Sequence, residues 1–553
     1  MSSNTPEASE EPAGRIRSPN AATEKPVSKR ITLAELARRA GVSKATVSRA
    51  LNGKPDVDVQ TRQRILNLVA ATGYSPDPVA RALRGLSPLS AEIAPPFPAD
   101  FLWGVGTSAY QIEGALDEDG RRPSIWDEFS RLPGAIERGE TAAVAADHYH
   151  RWREDVALLA TLGVRAYRFS VAWPRVIPEG VGEVNALGLD FYDRLVDALL
   201  AHGITPLVTL HHWDLPAALQ QSGGWLSRDT TGAFADYAEV VARRLGDRVE
   251  WWATHNEPWC VAYLGHALGA HAPGIADMQA AVTAGHHLLL SHGLAMARLR
   301  ASLGSRAQLG ITLNLTPMYA ADEETETLER VRAADLLHNQ WFLRPLFDGR
   351  YAPELFSSLG VDAPPILDGD MGRIAAPLDF LGVNYYERQV FRTPTLPATV
   401  RRTQQDGRHA QQVVPVPGAS YTEMGWEIYP QGLEDVLDQV HTAYHPRALL
   451  VTENGAAFSE ADTLSSEIHD EQRVAYLRDH IQALARARER GIPARGYFAW
   501  TLLDNFEWNS GYRLHFGLIA VDPRTLERRI KASGRWYASF IRQQSAPHAR
   551  APY

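Results

Sequence analysis

Two stretches decide the fold: VEWWATHNEP at residues 249–258 and ALLVTENG at residues 448–455. Each is an apolar, strand-like run that ends in a polar turn, and each places one glutamate, Glu257 or Glu453, at its end. Burying a carboxylate at the mouth of a strand costs free energy unless the group is paired or used. A single Thr-Glu-Asn-Gly sequence is more often a strand that simply ends in a turn, so the interpretation depends on the rest of the chain.

Outward from these two stretches, strand-like runs alternate with amphipathic helical patterns eight times. The predicted strands are residues 101–105, 165–170, 205–210, 249–254, 309–313, 380–383, 449–452 and 496–500, and the helical patterns between them include 152–162, 187–202 and 472–490. This repeat predicts an α/β fold, a (β/α)8 TIM barrel over residues 97–545, with functional side chains at the carboxyl ends of the strands. The polar, Pro-rich residues 395–420 are predicted to form a long loop over the barrel mouth.

Composition and charge indicate a globular chain with two dissimilar parts. Of 553 residues, 45% are hydrophobic and 22% are charged, and Cys260 is the single cysteine, which excludes an intramolecular disulfide. We find neither a signal-peptide core nor an apolar run long enough to span a bilayer, so we expect a cytoplasmic protein. Residues 1–95 carry 14 Lys and Arg against 9 Asp and Glu, whereas the remainder is acidic. A basic head on an acidic body indicates partners of different kinds.

The basic head begins with residues 1–29, which are rich in Ser, Pro, Glu and Ala and are predicted to be a disordered tail. In residues 30–85, Thr32 and Ser43 are placed to cap short helices at 33–40 and 44–51 on either side of Gly41, and a third helix is predicted near 59–72. Two short helices joined by a tight turn predict a small all-α helix-turn-helix domain. Residues 86–96 are a linker to the barrel.

The motifs AGVS at 40–43, ATVSR at 45–49 and LNG at 51–53 resemble the DNA-binding headpiece of lac-repressor-type regulators. The resemblance implies a set of DNA contacts with double-stranded DNA. Lys44, Ala45 and Arg49 would face base edges in the major groove, Ser43, Thr46, Ser48 and Asn52 would contact phosphate, and Leu83 would wedge between base pairs in the minor groove. In that family a sugar-binding module follows and pairs two headpieces, whereas here the predicted barrel follows, so a homo-oligomer stays an open expectation.

Every predicted strand end but one carries polar or aromatic residues. In chain order they are SAYQIEG (108–114), YRFSVAWPR (167–175), HHWDLP (211–216), the Glu257 motif, NYY (384–386), the Glu453 motif and WTLLDNFEW (500–508). Two carboxylates that face one another can divide the cleavage of a glycosidic bond, one as a protonated acid and one as an ionised nucleophile. With these motifs in this order, residues 97–545 resemble family 1 glycoside hydrolases of the β-glucosidase type.

The resemblance implies that Glu257 is the general acid/base and that Glu453 is the nucleophile, held ionised by Arg168 and Tyr386. The implied sugar contacts are Gln111, His212, Asn256, Glu507 and Trp508, with Trp500 as the floor of the first subsite and Trp426 as a platform for the leaving group. A neighbouring guanidinium lowers a carboxyl pKa and a neighbouring carboxylate raises one. We therefore expect a lowered pKa for Glu453 and a raised pKa for Glu257.

Some of these residue types also have purely structural interpretations. His212 alone fits a core histidine, and Trp213, Trp500 and Trp508 alone fit core packing. Glu113 and Asp214 are predicted to bond backbone near their turns, and His255, unusual for the family, is predicted to point away from the sugar. His148, His150, His286 and His287 do not form a metal-ligand pattern, so neither a metal nor a cofactor is expected.

Three interpretations of the whole chain remain open. In the first, the protein is a retaining exo-β-glucosidase that hydrolyses terminal non-reducing β-D-glucosyl residues of cello-oligosaccharides, in cellulose degradation, and of other short β-glucosides. In the second, it is a sugar-responsive transcriptional regulator that uses the barrel as a sensor. In the third, the head is not part of the working protein. Because Glu507 would repel a 6-phosphate, unphosphorylated β-glucosides are expected, with β-galactosides or β-fucosides as secondary substrates.

Overall fold

The computed structural model of the chain describes residues 33–44, 46–47, 58, 61, 64–65, 68, 97–392, 414–460 and 467–545. The chain divides into two units, residues 1–86 and 87–553, and each is described by itself.

The first unit begins with the helix Leu33–Ala40, which has the predicted bounds. Gly41 follows with a φ of +66°, the left-handed conformation that commonly ends a helix. The backbone N–H of Thr46 donates to Ser43 Oγ at 3.0 Å, so Ser43 caps the second helix as predicted. Buried side chains of this unit include Ala37, Ala40, Val47 and Ile65. This apolar set is what two or three short helices need in order to pack together.

Of the predicted DNA-contacting residues, Ser43 and Lys44 are exposed and Thr46 is half-buried. Those outside the described residues are Ala45, Ser48, Arg49, Asn52 and Leu83. The predicted tail (1–29) and linker (86–96) also lie outside them, as do residues 395–413 of the loop predicted over the barrel mouth.

The second unit is built on a closed barrel of eight parallel strands, which confirms the predicted (β/α)8 architecture. The barrel strands are β1 (Leu102–Gly106), β2 (Ala166–Ser170), β3 (Thr205–His211), β4 (Trp251–Asn256), β5 (Gln308–Asn314), β7 (Phe380–Asn384), β9 (Leu449–Asn454) and β10 (Ala494–Trp500). Each strand pairs with the next in chain order, and pairing of β1 with β10 closes the barrel.

Two small strand pairs and a set of helices surround the barrel. Strands β6 (Met318–Ala320) and β8 (Gln389–Phe391) pair in parallel, and β11 (Ile519–Val521) pairs with β12 (Arg528–Ile530) in antiparallel fashion. Helices of ten or more residues are His148–Leu162, Ala186–Ala201, Asp229–Leu245, Met278–Leu303, Thr325–Asp335, Pro430–Tyr444, Glu471–Glu489 and Ala532–Ser545. The helices predicted at 152–162, 187–202 and 472–490 are therefore confirmed, with ends that shift by at most four residues.

Apolar side chains fill the barrel interior below the polar strand ends. The cluster contains Ala166, Leu207, Trp251, Ala253, Phe380, Ala448, Leu450 and Phe498. In every barrel of this kind the interior is a packed core and not a pore, so the polar residues further along the same strands have a solid floor beneath them.

The register shifts in both strands that carry the glutamates. Between β4 and β5, Ala253 pairs with Gly310 but Asn256 pairs with Thr312, so three steps on one strand match two on the other. Between β9 and β7 a similar shift occurs, because Val383 pairs with Val451 and Asn384 pairs with Glu453. Such irregularities re-aim side chains, and here they come immediately before Glu257 and at Glu453.

A buried charge network ties the loops after β9 and β10 to the start of the last helix. Lys531 Nζ donates to Glu460 Oε1 at 2.5 Å and to Asp504 Oδ1 at 2.9 Å. Arg473 donates to Glu460 at 3.1 Å and also to Asp470. Burial alone would raise the pKa of Glu460, but His515, Lys531 and Arg473 lower that pKa to about 2. Glu460 therefore stays ionised, and its ion pairs with Lys531 and Arg473 hold the loop after β9 to the starts of two helices.

Replacing the buried cation should destabilise the barrel. In Lys531→Met, Glu460 and Asp504 lose a buried partner, so the free energy of unfolding at pH 7 should fall by about 3–5 kcal/mol in urea denaturation. Arg243→Met removes the exposed ion pair with Glu239 and is the matched control, with an expected loss below about 1 kcal/mol. Equal losses in the two variants would contradict a stabilising role for the network.

Candidate active site

A cavity of about 400 Å³ lies at the carboxyl ends of the barrel strands. It contains nearly all the site residues predicted from the sequence. Those that line it are His212, Asn256, Glu257, Tyr386, Trp426, Glu453, Trp500, Glu507 and Trp508. Arg168 and Gln111 do not line the cavity and are both fully buried behind its wall. Nine side chains from distant parts of the sequence thus converge because the strands that carry them end at the same rim.

Both carboxylate oxygens of Glu453 accept short hydrogen bonds. Arg168 Nη1 donates to Oε1 at 2.5 Å, and Tyr386 Oη donates to Oε2 at 2.6 Å. The second terminal nitrogen of Arg168 donates to Asn256 Oδ1 at 2.6 Å. A carboxylate fixed by a guanidinium and a phenol has a defined orientation and a stabilised charge, as an oriented nucleophile requires.

Glu257 is held differently, by two uncharged groups. Asn384 Nδ2 donates to Glu257 Oε1 at 2.6 Å, and Cys260 Sγ lies 3.2 Å from Oε2. The Glu257 backbone has a φ of +48°, a left-handed conformation that is unfavourable for a residue with a side chain. Trp213 and Trp508 adopt φ values of +77° and +47°, so three residues around one cavity share this strain. Backbone strain of this kind is concentrated at functional sites.

Burial governs the ionisation of both glutamates. Burial, followed by repulsion from the Glu453 charge, raises the pKa of Glu257 to about 8. Burial also raises the pKa of Glu453, although Arg168 and Tyr386 oppose the shift. The expectation of a lowered pKa for Glu453 was therefore wrong, because desolvation outweighs the ion pair. Since the guanidinium contacts Glu453 directly, the pair keeps its charge on Glu453 and its proton on Glu257 near neutral pH.

One wall of the cavity is a layer of flat side chains. The His212 ring is stacked at 12° to Trp500 and at 12° to Trp508, with centroids 5.9 Å and 6.0 Å apart. Asn256 Nδ2 donates to His212 Nε2 at 3.1 Å, which leaves the ring proton on Nδ1. Burial lowers the pKa of His212 well below its usual value, so the ring is neutral. In the described part of the chain its Nδ1 is buried and has no hydrogen-bond partner.

Gln111 supports this wall from behind. Its Nε2 donates to Asn505 Oδ1, the Phe506 carbonyl and Glu507 Oε2, at 3.1–3.2 Å. Burial, together with repulsion from Glu453 and Glu257, raises the pKa of Glu507 to about 8. The direct contact of Gln111 with a ligand, expected from the sequence, would require these hydrogen bonds to rearrange.

His255, Glu113 and Asp214 were predicted to have structural roles only, and the structure confirms part of this prediction. His255 points away from the cavity as predicted: its ring stacks on Phe234 at 4.3 Å and its Nε2 lies 2.8 Å from Ser291 Oγ. Glu113 is structural, but the predicted backbone bonds are wrong, because its oxygens accept from Arg175 Nε at 3.0 Å and Tyr192 Oη at 2.7 Å. Asp214 is buried, and burial raises its pKa to about 7.

A search of the described residues for metal-ligating clusters finds one group, Glu460, Asp504 and His515, whose ligand atoms lie within 4.8 Å of one another. Lys531 already donates to Glu460 and Asp504, so an ammonium ion supplies the positive charge there. His148 Nδ1 lies 2.8 Å from Asp155 Oδ2 and His286 Nε2 lies 3.3 Å from Asp370 Oδ2, so each of these rings already has a carboxylate partner. No helix in the described ranges combines the length and apolar character needed to cross a bilayer.

Comparison with known proteins places each part of the chain beside a family. The model of glycosyl hydrolase family 1 matches residues 93–546, and the model of bacterial regulatory proteins of the lacI family matches residues 32–77. Beta-glucosidase A of Acetivibrio thermocellus is 43% identical over 449 residues, covering 81% of this chain and 98% of its own length. A bifunctional beta-D-glucosidase/beta-D-fucosidase of Bifidobacterium breve is 45% identical and covers 81% of this chain and 99% of its own length.

Solved structures agree with the sequence comparison. The family 1 b-glucosidase from Thermotoga maritima is 42% identical, with a TM-score of 0.76 over 81% of this chain and 98% of its own. The same organism's beta-glucosidase in complex with glucoimidazole is 41% identical, with a TM-score of 0.76 over 82% of this chain and 100% of its own.

Replacing His255 should make the protein more tolerant of acid. Burial lowers the pKa of His255 well below 6.5, so below about pH 6.5 the unfolded chain binds a proton that the folded chain does not. Stability is therefore lost as the pH falls from 6.5, and His255→Phe should reduce the loss between pH 7 and pH 5 by about 2 kcal/mol. Urea denaturation at the two pH values measures the difference.

The control for this experiment is His202→Phe, the same change at an exposed position, which should leave the pH dependence near that of the wild type. A pH dependence for His255→Phe that matches the wild type would contradict the assignment of His255 as a neutral core residue.

Proposed function

Because the chain belongs to glycosyl hydrolase family 1, we propose that it is a retaining β-glucosidase that removes terminal non-reducing β-D-glucosyl residues by double displacement. One observation carries the proposal. Two buried carboxyl groups line one cavity, and only Glu453 is paired with a guanidinium, so their protonation states differ. This division between a charged and a protonated carboxyl group is what acid-assisted nucleophilic cleavage of a glycosidic bond requires.

In the first step, Glu453 attacks the anomeric carbon of the bound glucoside. The bond from that carbon to the leaving oxygen breaks, and Glu257 transfers its proton to that oxygen, so the aglycone departs as a neutral alcohol. The product is a glucosyl ester on Glu453. Because the Glu453 oxygens already accept from Arg168 and Tyr386, the attacking atom is aimed before the substrate arrives.

In the second step, the ester carries no charge, so the repulsion that raised the pKa of Glu257 is gone. Glu257 is then ionised and removes a proton from water as the water oxygen attacks the anomeric carbon. Glu453 leaves as a carboxylate, and glucose is released with its original anomeric configuration after two inversions.

The sugar would bind against the flat wall of the cavity. Trp500 would offer a ring face as the floor, and the side chains of His212 and Glu507, which line the cavity, would contact outer hydroxyls. Asn256, which is hydrogen-bonded to Arg168 and His212, would contact the 2-hydroxyl, and that contact would strengthen in the transition state. Gln111 would act mainly by fixing Glu507.

The substrate class follows from charge and surface. A 6-phosphate would bind beside the carboxyl group of Glu507, which can pair with neutral hydroxyls but supplies no positive charge, so unphosphorylated β-glucosides such as cello-oligosaccharides are the proposed substrates. The cavity is also lined by Trp426, Leu264, Leu337 and Phe391, which would offer an apolar surface to the leaving group. The bifunctional relative named for glucosidase and fucosidase activity supports β-fucosides as secondary substrates.

The two glutamates can be told apart by chemical rescue. With 2,4-dinitrophenyl β-glucoside, whose leaving group needs no acid, Glu257→Ala should form the glycosyl ester and stall. Azide should then restore turnover by at least about tenfold and give the β-glucosyl azide. Glu453→Ala should give the α-glucosyl azide, because a single displacement inverts the anomeric centre. The product configurations are read by NMR, and the opposite pattern would exchange the two roles.

A second function, DNA binding by residues 30–85, has its own observations. The helix Leu33–Ala40, the left-handed Gly41 and the Ser43 cap form a helix-turn-helix start, and residues 32–77 match the lacI family model. Lys44 is exposed at the start of the second helix, where a recognition helix meets DNA. We propose that this segment binds double-stranded DNA from a homo-oligomer in the cytoplasm, and that the barrel either acts independently or senses glucoside for the headpiece.

DNA binding is tested on the full chain by fluorescence anisotropy with a labelled duplex. Affinity should fall at least about tenfold between 50 and 200 mM salt, and Lys44→Glu should weaken it several-fold. Arg243→Glu, an exposed charge change on the barrel, is the control and should have little effect. If a saturating glucoside changes the affinity for the duplex, the result would favour a barrel that senses glucoside for the headpiece. Equal binding by Lys44→Glu and the wild type would contradict the assigned DNA surface.

A further inference from the structure

The only cysteine of the chain touches one of the two catalytic carboxyl groups. Cys260 is buried and lines the cavity, and its Sγ lies 3.2 Å from Glu257 Oε2. Its backbone N–H donates to the Glu257 carbonyl at 2.9 Å, so the two residues share one tight turn. The thiol is therefore fixed to the glutamate both through the backbone and through the side chain.

The other oxygen of Glu257 is already committed. Asn384 Nδ2 donates to Glu257 Oε1 at 2.6 Å and to Asn256 Oδ1 at 3.1 Å, so both amide hydrogens are used. Thr452 Oγ1 donates to Asn384 Oδ1 at 2.7 Å, which fixes the orientation of the amide. An amide N–H donates and does not accept, so Oε1 cannot carry the proton and donate it to Asn384. The transferable proton of Glu257 therefore belongs on Oε2, the oxygen that faces Cys260.

We propose that Cys260 is a positioning residue that holds Oε2 of Glu257, the oxygen that gives and takes the catalytic proton, in both steps of the reaction. The inference rests on the proposed function, in which Glu257 is the acid/base. When Glu257 is ionised, the thiol S–H donates to Oε2. When Oε2 carries the proton, the sulfur lone pairs face that oxygen and do not compete with a substrate oxygen, because sulfur is a weak acceptor.

A thiol suits this position better than a hydroxyl. Burial, followed by the Glu257 charge, raises the pKa of the Cys260 thiol well above its usual value, so the group stays neutral and keeps its proton. A serine hydroxyl is a stronger donor and would stabilise ionised Glu257 more, which would lower the pKa of the acid. Alanine would remove the donor and so raise the pKa of Glu257. Cysteine thus leaves Glu257 protonated near neutral pH while still fixing the oxygen.

The test measures the pH dependence of kcat/KM with phenyl β-glucoside for the wild type, Cys260→Ala, Cys260→Ser and Val261→Ala. In the wild type, kcat/KM should fall as the pH rises through the pKa of Glu257, about 8, because the acid is lost. Removing or strengthening one hydrogen bond should move this alkaline limb by about half a pH unit. We expect Cys260→Ala to move it upward and Cys260→Ser to move it downward.

Val261→Ala is the matched control, since Val261 is the adjacent buried residue and does not line the cavity. It should leave the limb in place, because loss of packing alone does not act on the Glu257 carboxyl group. With 2,4-dinitrophenyl β-glucoside, which needs no proton in the first step, the pH profile of kcat/KM should show no alkaline limb in the wild type or in any variant.

An alkaline limb that stays in place in both Cys260 variants, or moves in the same direction in both, overturns the inference. Failure of the underlying function is recognised separately. If Glu257→Ala is not rescued by azide, the acid/base assignment falls whatever Cys260 does, whereas rescue with unmoved limbs rejects the role of Cys260 alone.

Discussion

The buried ion pair between Arg168 and Glu453 is the interaction on which the site depends. Arg168 lies on β2 and Glu453 on β9, with β1 and β10 between them around the barrel, and the two meet only because the barrel is closed. Both are almost inaccessible to water, so each would be costly without the other. Arg168 also donates to Asn256, the residue next to Glu257. One guanidinium therefore fixes the proposed nucleophile, Glu453, and the strand end next to the proposed acid, Glu257.

The repeat pattern of the sequence was sufficient to predict all eight barrel strands, because buried parallel strands leave apolar runs between helical patterns. It underestimated where β4 and β9 end, since both continue through polar residues up to Asn256 and Asn454. The register shifts before Glu257 and at Glu453 depend on how neighbouring strands pair, so the sequence pattern of a single strand does not reveal them. For the same reason the small β6–β8 pair was missed.

The sequence was sufficient to predict which residue types converge on the cavity, but not the pKa of Glu453. A guanidinium beside Glu453 suggested a lowered pKa, yet the depth of the barrel mouth, which only the structure gives, makes desolvation dominant. Asn384 and Cys260 were missed as partners of Glu257. Asn384 belongs to a motif already identified from the sequence, and Cys260 stands three residues after Glu257 on the same turn. That spacing is the signal that was available for Cys260.

In the proposed reaction Glu453 becomes covalently attached to the sugar. Incubating the protein with 2,4-dinitrophenyl 2-deoxy-2-fluoro-β-glucoside, which slows the second step, and then measuring intact mass and mapping peptides tests this attachment. We expect a mass gain of one fluoroglucosyl group, located on Glu453, with release of one dinitrophenolate per chain. Steady turnover with no adduct, or an adduct on Glu257, would contradict it.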